Sequence, residues 1–525
     1  MNVNFGRLML QIAKKNKDKI ALKNIERNRT YTYMEFHLLT NQICNMIHDR
    51  FRLNEGDFFV LNLENDNLSL FNIWTSKGMP TSTWLNYRDS LDEHLYQIDY
   101  VKPKLIFIEK EKLDSYYEEL KKRNIEIICM DRPPHNFRDV HYFWDLIAEA
   151  SEKETNVEYD MDEHLAAVKF TGGTTGRGKC VMYTVRTFLS AANYQFAHSE
   201  TLLDQETKFL HLTPMSHATS VYCFPVFIKG GTNYTINSAE LENFCKVVET
   251  EGITSTFAVP TLLYRLIDLE AENRFDLSSL KMVVYGASPM SPSKLEHLQE
   301  KFGNVFCQLY GSSEAYPLVV LLGLEDHQLT PGKDRNIIAS AGRALPGVEV
   351  KIVDELGREV SVGENGEIWI RCDAVIKGYY NDPENTALNF SVDGFWKSGD
   401  VGYMDDNGYI YIVDRKKDMI ISGGFNVYAS EVEHVLNAHP GVQQSVVIGI
   451  PHEEWGEAVH AEVILKKSSS VMDSELLQYC KAKIASYKVP KTINFVEELP
   501  TSAVGKVLRR QVREKYWTNQ KRNVH

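Results

Sequence analysis

Residues Thr171 to Cys180 read Thr-Gly-Gly-Thr-Thr-Gly-Arg-Gly-Lys-Cys, directly behind the apolar run Ala166–Phe170. Gly172, Gly173 and Gly176 permit positive φ and let backbone N–H groups approach phosphate oxygens. The hydroxyls of Thr171, Thr174 and Thr175 and the ammonium of Lys179 add donors and charge. The chemistry on offer is the binding of a polyphosphate. Gly173 to Lys179 also satisfies the G-x-x-x-x-G-K spacing of a P-loop, but Cys180 stands where Ser or Thr would hold magnesium. A thiol is a poor ligand for that hard ion, so the P-loop reading is the weaker one. A plain surface turn would not need three threonines and a lysine among its glycines.

Two further loops carry polar groups at the ends of apolar segments. Thr254–Val259, Lys281–Tyr285 and Val305–Tyr310 read as strands, with helical spacing over Thr261–Glu272 and Pro292–Phe302 between them. This β-α-β-α-β order predicts parallel strands with right-handed crossovers. The loops that follow, Gly286-Ala287-Ser288 and Gly311-Ser312-Ser313-Glu314, should then share one crevice at the carboxyl ends of the strands. From Val348 to Arg371 short alternating runs with glycine turns predict antiparallel strands and a small barrel. Beyond the charged joint Asp414-Arg415-Lys416-Lys417-Asp418 a separate α+β unit begins. In it Ser430-x-x-Glu433 has the pattern of a capping box, and strands are expected at Val442–Ile450, Ala458–Leu465 and Ile493–Val496, with a helix over Asp473–Ile484.

Composition narrows the function. The chain has 525 residues, 43% hydrophobic and 25% charged, which is ordinary globular usage. A net charge of −13 argues against binding nucleic acid through a broadly basic surface. No apolar run is long enough to span a bilayer, and the N-terminal stretch lacks a secretory pattern. Eight cysteines form no C-x-x-C pair, which argues against a disulfide framework and predicts a cytoplasmic protein. Nothing in the sequence sets an oligomeric state.

Taken in order along the chain, these motifs resemble the AMP-forming acyl-adenylating superfamily of acyl- and aryl-CoA ligases, carrier-protein adenylation domains and luciferases. The glycine loop is similar to that family's phosphate loop, Tyr310-Gly311-Ser312-Ser313-Glu314 to its Tyr-Gly-x-Thr-Glu motif, and Trp396-Lys397-Ser398-Gly399-Asp400 to its aromatic-basic-Thr-Gly-Asp motif. Asp414–Asp418 resembles the hinge segment, and Pro500–Lys506 (PTSAVGK) the terminal lysine motif. Weaker matches are Leu85-Asn86-Tyr87-Arg88, Gly342-Arg343…Pro346-Gly347 and Gly378-Tyr379-Tyr380…Pro383.

The resemblance implies an α/β fold: a large N-terminal domain (1–416) of parallel α/β subdomains plus a small β-barrel, and a smaller, mobile α+β C-terminal domain (417–525). It implies an ATP-dependent acid–CoA ligase that makes an acyl-adenylate from a small carboxylic acid, fatty or aryl, releases pyrophosphate and passes the acyl group to coenzyme A. The alternative acceptor is a carrier-protein phosphopantetheine. Lys506, Glu314 and His217 would be catalytic, with Glu314 and Thr171 holding Mg2+. Thr171, Gly172, Gly173, Thr174, Thr175, Gly176, Lys179, Gly286, Ala287, Ser288, Tyr310, Gly311, Ser312, Ser313, Asp400 and Arg415 would bind ATP and AMP. Asp400 would take the ribose hydroxyls and Tyr310 stack on adenine. Lys417 would be the hinge, and Ser422, Gly423, Gly424 and Phe425 would line the path of CoA. His217, Tyr222, Gly286 and Ser312 would line the acyl pocket, with His217 as a gate to the thiol tunnel. Two departures are notable: Gly178 replaces the usual proline, which predicts a more flexible loop, and Ser313 replaces threonine.

Overall fold

The computed structural model describes residues 1–72, 77, 80–171, 178–197, 202–238, 240–270, 275–288, 290–316, 318–328, 335–466, 469–501 and 507–517. Two large sheets form its body. The seven-stranded sheet runs Cys180–Thr184, Leu165–Phe170, Thr81–Trp84, Phe58–Asn62, Leu105–Ile108, Glu126–Cys129, Val140–Tyr142, parallel except for the antiparallel edge at Cys180–Thr184. It is buried on both faces, as parallel sheets require. Phe59 and Leu61 enter the core between the large sheets, while Phe58 and Val60 pack into a second core behind.

The nine-stranded sheet contains the expected β-α-β-α-β unit. Ser255–Ala258, Met282–Gly286 and Phe306–Tyr310 pair in parallel, joined by the helices Pro260–Glu270 and Pro292–Phe302. The second helix starts with Pro292 at its first turn, where the missing N–H costs nothing, and stops at Gly303, whose φ of 76° suits glycine alone.

The expected barrel is an open sheet. Glu349–Val353, Gly366–Arg371, Trp396–Met404 and Ile410–Arg415 form one antiparallel path of four strands. It does not close because the outer edge of Ile410–Arg415 is already taken. The Ile410 N–H donates to the Gly342 carbonyl at 2.8 Å, and its carbonyl accepts from the Ala341 N–H at 2.7 Å.

The following unit is a five-stranded sheet of Ile420–Ser422, Phe425–Val427, Val442–His452, Gly456–Leu465 and Thr492–Phe495. The helices Ala429–Asn437 and Asp473–Lys481 accompany it, and its apolar residues form their own core. Ser430 and Glu433 do not form a capping box, because both are engaged elsewhere. The Ser430 hydroxyl donates to the Val413 carbonyl and its N–H to Asp414 Oδ2 at 3.1 Å, so a carboxylate from the preceding strand satisfies the helix start. Both Glu433 oxygens accept from Arg509 Nη2 at 2.8 Å, and Oε1 also accepts the Val447 N–H at 2.7 Å. Among the described residues, no helix is long and apolar enough to cross a membrane.

Candidate active site

Strand ends and the four-stranded sheet meet at one crevice. Asp400 and Arg415 are direct partners in the antiparallel register, which brings the two residues side by side. Asp400 is 4% exposed. One of its oxygens accepts from Arg415 Nε at 2.7 Å, and the other from the Tyr310 hydroxyl at 2.7 Å. Each oxygen keeps a free lone pair for a further donor. Arg415 is held more firmly protonated than usual by Asp400, against the effect of burial. Burial, then Asp400, pushes the Tyr310 phenol well above its ordinary range, so it serves as a donor. The sequence had suggested Tyr310 as an adenine platform; its hydroxyl is committed to Asp400.

Glu314 lies in the loop after Phe306–Tyr310. The Ser312 hydroxyl accepts the N–H groups of Glu314 and Ala315, at 3.0 and 3.3 Å, and so sets the turn that presents the carboxylate. Glu314 Oε1 accepts from the Tyr379 hydroxyl at 3.1 Å, and the Ser313 carbonyl from Tyr183 at 2.8 Å. The other Glu314 oxygen makes no hydrogen bond among the described residues. A carboxylate oxygen left without a partner among the described residues suits magnesium, which favours few protein ligands beside phosphate and water. The Thr171 hydroxyl is less free, since it accepts the Lys179 N–H at 3.1 Å.

The glycine loop has a closed neck: the Thr171 N–H donates to the Lys179 carbonyl at 2.9 Å. A Cβ at Gly178 would run into the Thr171 carbonyl oxygen, so glycine is required there by close approach and not only for freedom of the loop. Lys179 Nζ sits 4.9 Å above the Tyr379 ring. Gly172, Gly173, Thr174, Thr175, Gly176 and Lys506 lie outside the described residues.

Gly286 closes its strand where a Cβ would meet the Leu309 carbonyl, and Ala287 follows with φ of 66°, an uncommon angle for alanine. Ser288 and Gly311 are half-buried beside them. His217 is half-buried, with Nδ1 3.1 Å from the Ser216 hydroxyl. Burial foremost, then Lys169 and Arg88, pulls its imidazole down to about 3, so it is neutral at physiological pH. Tyr222 is buried and stacks on Phe209, at 4.8 Å between centroids and 13° between planes.

Lys417 is half-buried, and burial lowers its proton affinity. Ser422 pairs with Phe425 across Gly423 and Gly424, whose φ values of 57° and 83° are what a tight hairpin turn of this kind demands. Phe425 is 57% exposed and stacks on Tyr487 at 4.8 Å. Lys488 lies over that same tyrosine, and Lys491 over Trp455.

Tyr379, Tyr487 and Lys169 are residues of this region that motif reading passed over. Tyr379 stood inside the weak Gly-Tyr-Tyr match, and Lys169 was the one charge in an apolar strand.

The AMP-binding enzyme family matches residues 10–380, and the AMP-binding enzyme C-terminal domain matches residues 431–506. The chain belongs to this family of AMP-binding enzymes. It is 34% identical over 464 residues to the medium/long-chain-fatty-acid–CoA ligase FadD8 of Mycobacterium tuberculosis, covering 84% of this chain and 78% of that one. It is 35% identical over 369 residues to a feruloyl-CoA synthase of an Amycolatopsis species, covering 70% of this chain and 73% of that one. ATP-bound MatB from Rhodopseudomonas palustris shares the fold at a TM-score of 0.88 and 27% identity, covering 99% of this chain and 100% of that chain.

Proposed function

We propose that this protein is an ATP-dependent acid–CoA ligase that forms AMP and pyrophosphate, acting on a fatty or aryl acid. The observation that carries the reading is the Tyr310–Asp400–Arg415 cluster beside Glu314 at the strand ends, in a chain whose curated relatives are named as CoA ligases. In the first half-reaction a carboxylate oxygen attacks the α-phosphorus of ATP, the bond to the β-phosphate breaks, and pyrophosphate leaves. The residues of the 171–179 loop cradle the departing phosphates, and Asp400 takes the ribose hydroxyls while Arg415 holds it in place. Glu314 would hold Mg2+, with Thr171 nearby; the ion would neutralise phosphate charge. Lys506, by its motif, would serve the carboxylate and α-phosphate and stabilise the charge that builds between them.

In the second half-reaction the thiol of CoA attacks the acyl carbonyl, a C–S bond replaces the bond to phosphate oxygen, and AMP leaves. His217, neutral at working pH, lets an acyl group and a thiol meet without placing a second charge there. We divide the chain at the 416/417 bond, with Lys417 as the hinge that withdraws Lys506 and brings Ser422–Phe425 to the site. Phe425, Tyr487 and Lys491 offer that unit an aromatic and basic face suited to a nucleotide thiol, while Lys488 is held by Glu431 at 2.7 Å. The experiment is pyrophosphate and AMP release over a panel of fatty and aryl acids, with and without CoA. AMP with acyl-CoA is expected. ADP as product would overturn the reading, and acyl transfer to a holo-carrier protein but not to CoA would replace the acceptor.

A further inference from the structure

The C-terminal unit also touches the body away from the hinge strand. Lys294 lies in the helix Pro292–Phe302, which follows the Gly286–Ser288 loop, and its Nζ donates to the Gln443 carbonyl at 2.8 Å. Gln443 belongs to Val442–His452, a strand beyond Lys417. A separate feature on each side builds this contact.

On the body side the ammonium is aimed. It sits 4.2 Å above the ring of Tyr264, on the neighbouring helix Pro260–Glu270. The Tyr264 hydroxyl accepts the Ser291 N–H at 2.9 Å, which ties that ring to the start of the helix carrying Lys294. On the other side the carbonyl is set out for it. Val442–His452 is an outer strand of its sheet, and Val442 pairs with Leu465 while Gln444 pairs with Ile464. A bulge thus takes Gln443 out of the ladder and leaves its carbonyl to the body.

A swing about Lys417 carries Gln443 away while Lys294 stays with the body, so the bond belongs to one stance only. Gly423, Gly424, Phe425 and Asn426 are all exposed in this stance, so the segment that would meet CoA is not seated in the crevice. We infer that Lys294 is a positioning residue that latches the C-terminal unit to the body for adenylate formation and releases it for thioester formation. This rests on the ligase reading and its hinge. Lys294 touches no reacting atom; it acts on the ratio of the two stances.

The test compares Lys294→Met, which keeps an apolar stem over Tyr264 and loses the donor, with Lys294→Arg, which keeps both. Each half-reaction is timed alone: single-turnover adenylate formation, and thioester formation from supplied acyl-adenylate. In Lys294→Met the ratio of the first rate to the second should fall about fivefold, the equivalent of one exposed hydrogen bond, and Lys294→Arg should restore it. A damaged fold slows both steps and leaves the ratio alone; an unchanged or a raised ratio refutes the assignment. A second arm needs no turnover. Dyes on Glu300→Cys and Met472→Cys, both exposed positions, report the separation of body and C-terminal unit by single-molecule energy transfer. The parent chain, whose own cysteines are buried or half-buried, gives the labelling background. Without substrates, Lys294→Met should move the populations about fivefold away from the parent's main arrangement, and Lys294→Arg should not. Identical distributions overturn the latch even if the ligase assay succeeds. A shift in a protein that turns over no acid would uphold the latch and condemn the ligase reading instead.

Discussion

Replacing Asp414 by Asn should uncouple the two half-reactions. Asp414 precedes Lys417, yet its carboxylate holds groups that follow it: the Ser430 N–H at 3.1 Å and, at a longer 3.5 Å, Arg509 Nη1. A swing about Lys417 has to break both contacts, along with the bond from the Ser430 hydroxyl to the Val413 carbonyl. Asp414 is buried, so solvent does not discount the loss. Arg509 keeps Glu433 and Asp418, so the variant loses chiefly one charge-assisted bond at Ser430. That bond contributes about 2 kcal/mol, which corresponds to roughly 30-fold in the population of the stance seen here. Asn can still accept the Arg415 N–H, which Asp414 Oδ1 now takes at 2.7 Å, so the local turn survives. With the stance seen here taken as the adenylating one, single-turnover adenylate formation is expected to fall roughly ten- to thirtyfold. Thioester formation from supplied acyl-adenylate should be unchanged or faster. Equal loss in both assays would mean that Asp414 is structural only, and no change in either would remove the pivot from Lys417.

Lys417→Pro should spare adenylate formation within about threefold and lower CoA transfer at least a hundredfold, because proline fixes φ at the pivot; intact transfer, measured by acyl-CoA production from supplied adenylate, would refute the hinge. Gly178→Ala should raise KM for ATP at least tenfold, since the new Cβ pushes the Thr171 carbonyl away and opens the neck of the loop; ATP titration followed by pyrophosphate release checks it. Acid should destabilise the fold through His94. Its Nε2 donates to the Asn86 carbonyl at 2.9 Å and its Nδ1 accepts from Tyr116 at 2.5 Å, and burial lowers it from 6.5 to about 4. The unfolded chain then binds the proton first, so this stability is complete above pH 6.5 and is lost as pH falls toward 4. The loss amounts to about 2 kcal/mol at pH 5. Urea melts between pH 7 and 5 should show a smaller drop for His94→Gln than for wild type.

The parallel unit from Ser255 to Tyr310 was legible because each strand and helix carries its own period and its own stops, and such local signals need no tertiary knowledge. Glu314 and Asp400 were legible as motifs, but their geometry was not. Asp400 meets Arg415 through a register that includes a bulge, and meets Tyr310 from a different sheet. Ser430 and Glu433 misled because a capping pattern is local, whereas their partners Asp414 and Arg509 lie far off in sequence. The barrel misled for the same reason: alternation announces antiparallel strands, but only the edge at Gly342 decides whether they close. Lys169 was hidden by its strand, since the face on which a lone lysine emerges depends on what covers each side of the sheet.

The strand Ile410–Arg415 is riveted at its beginning, where Ile410 bonds through both its amide and its carbonyl to the neighbouring 341–342 segment. A twist applied by the C-terminal unit therefore cannot leak back along this strand into the body of the enzyme. The torque has to be absorbed in the few residues beyond Arg415. Sequence drift there would be paid in mistimed handover between catalytic halves while the overall architecture stayed intact.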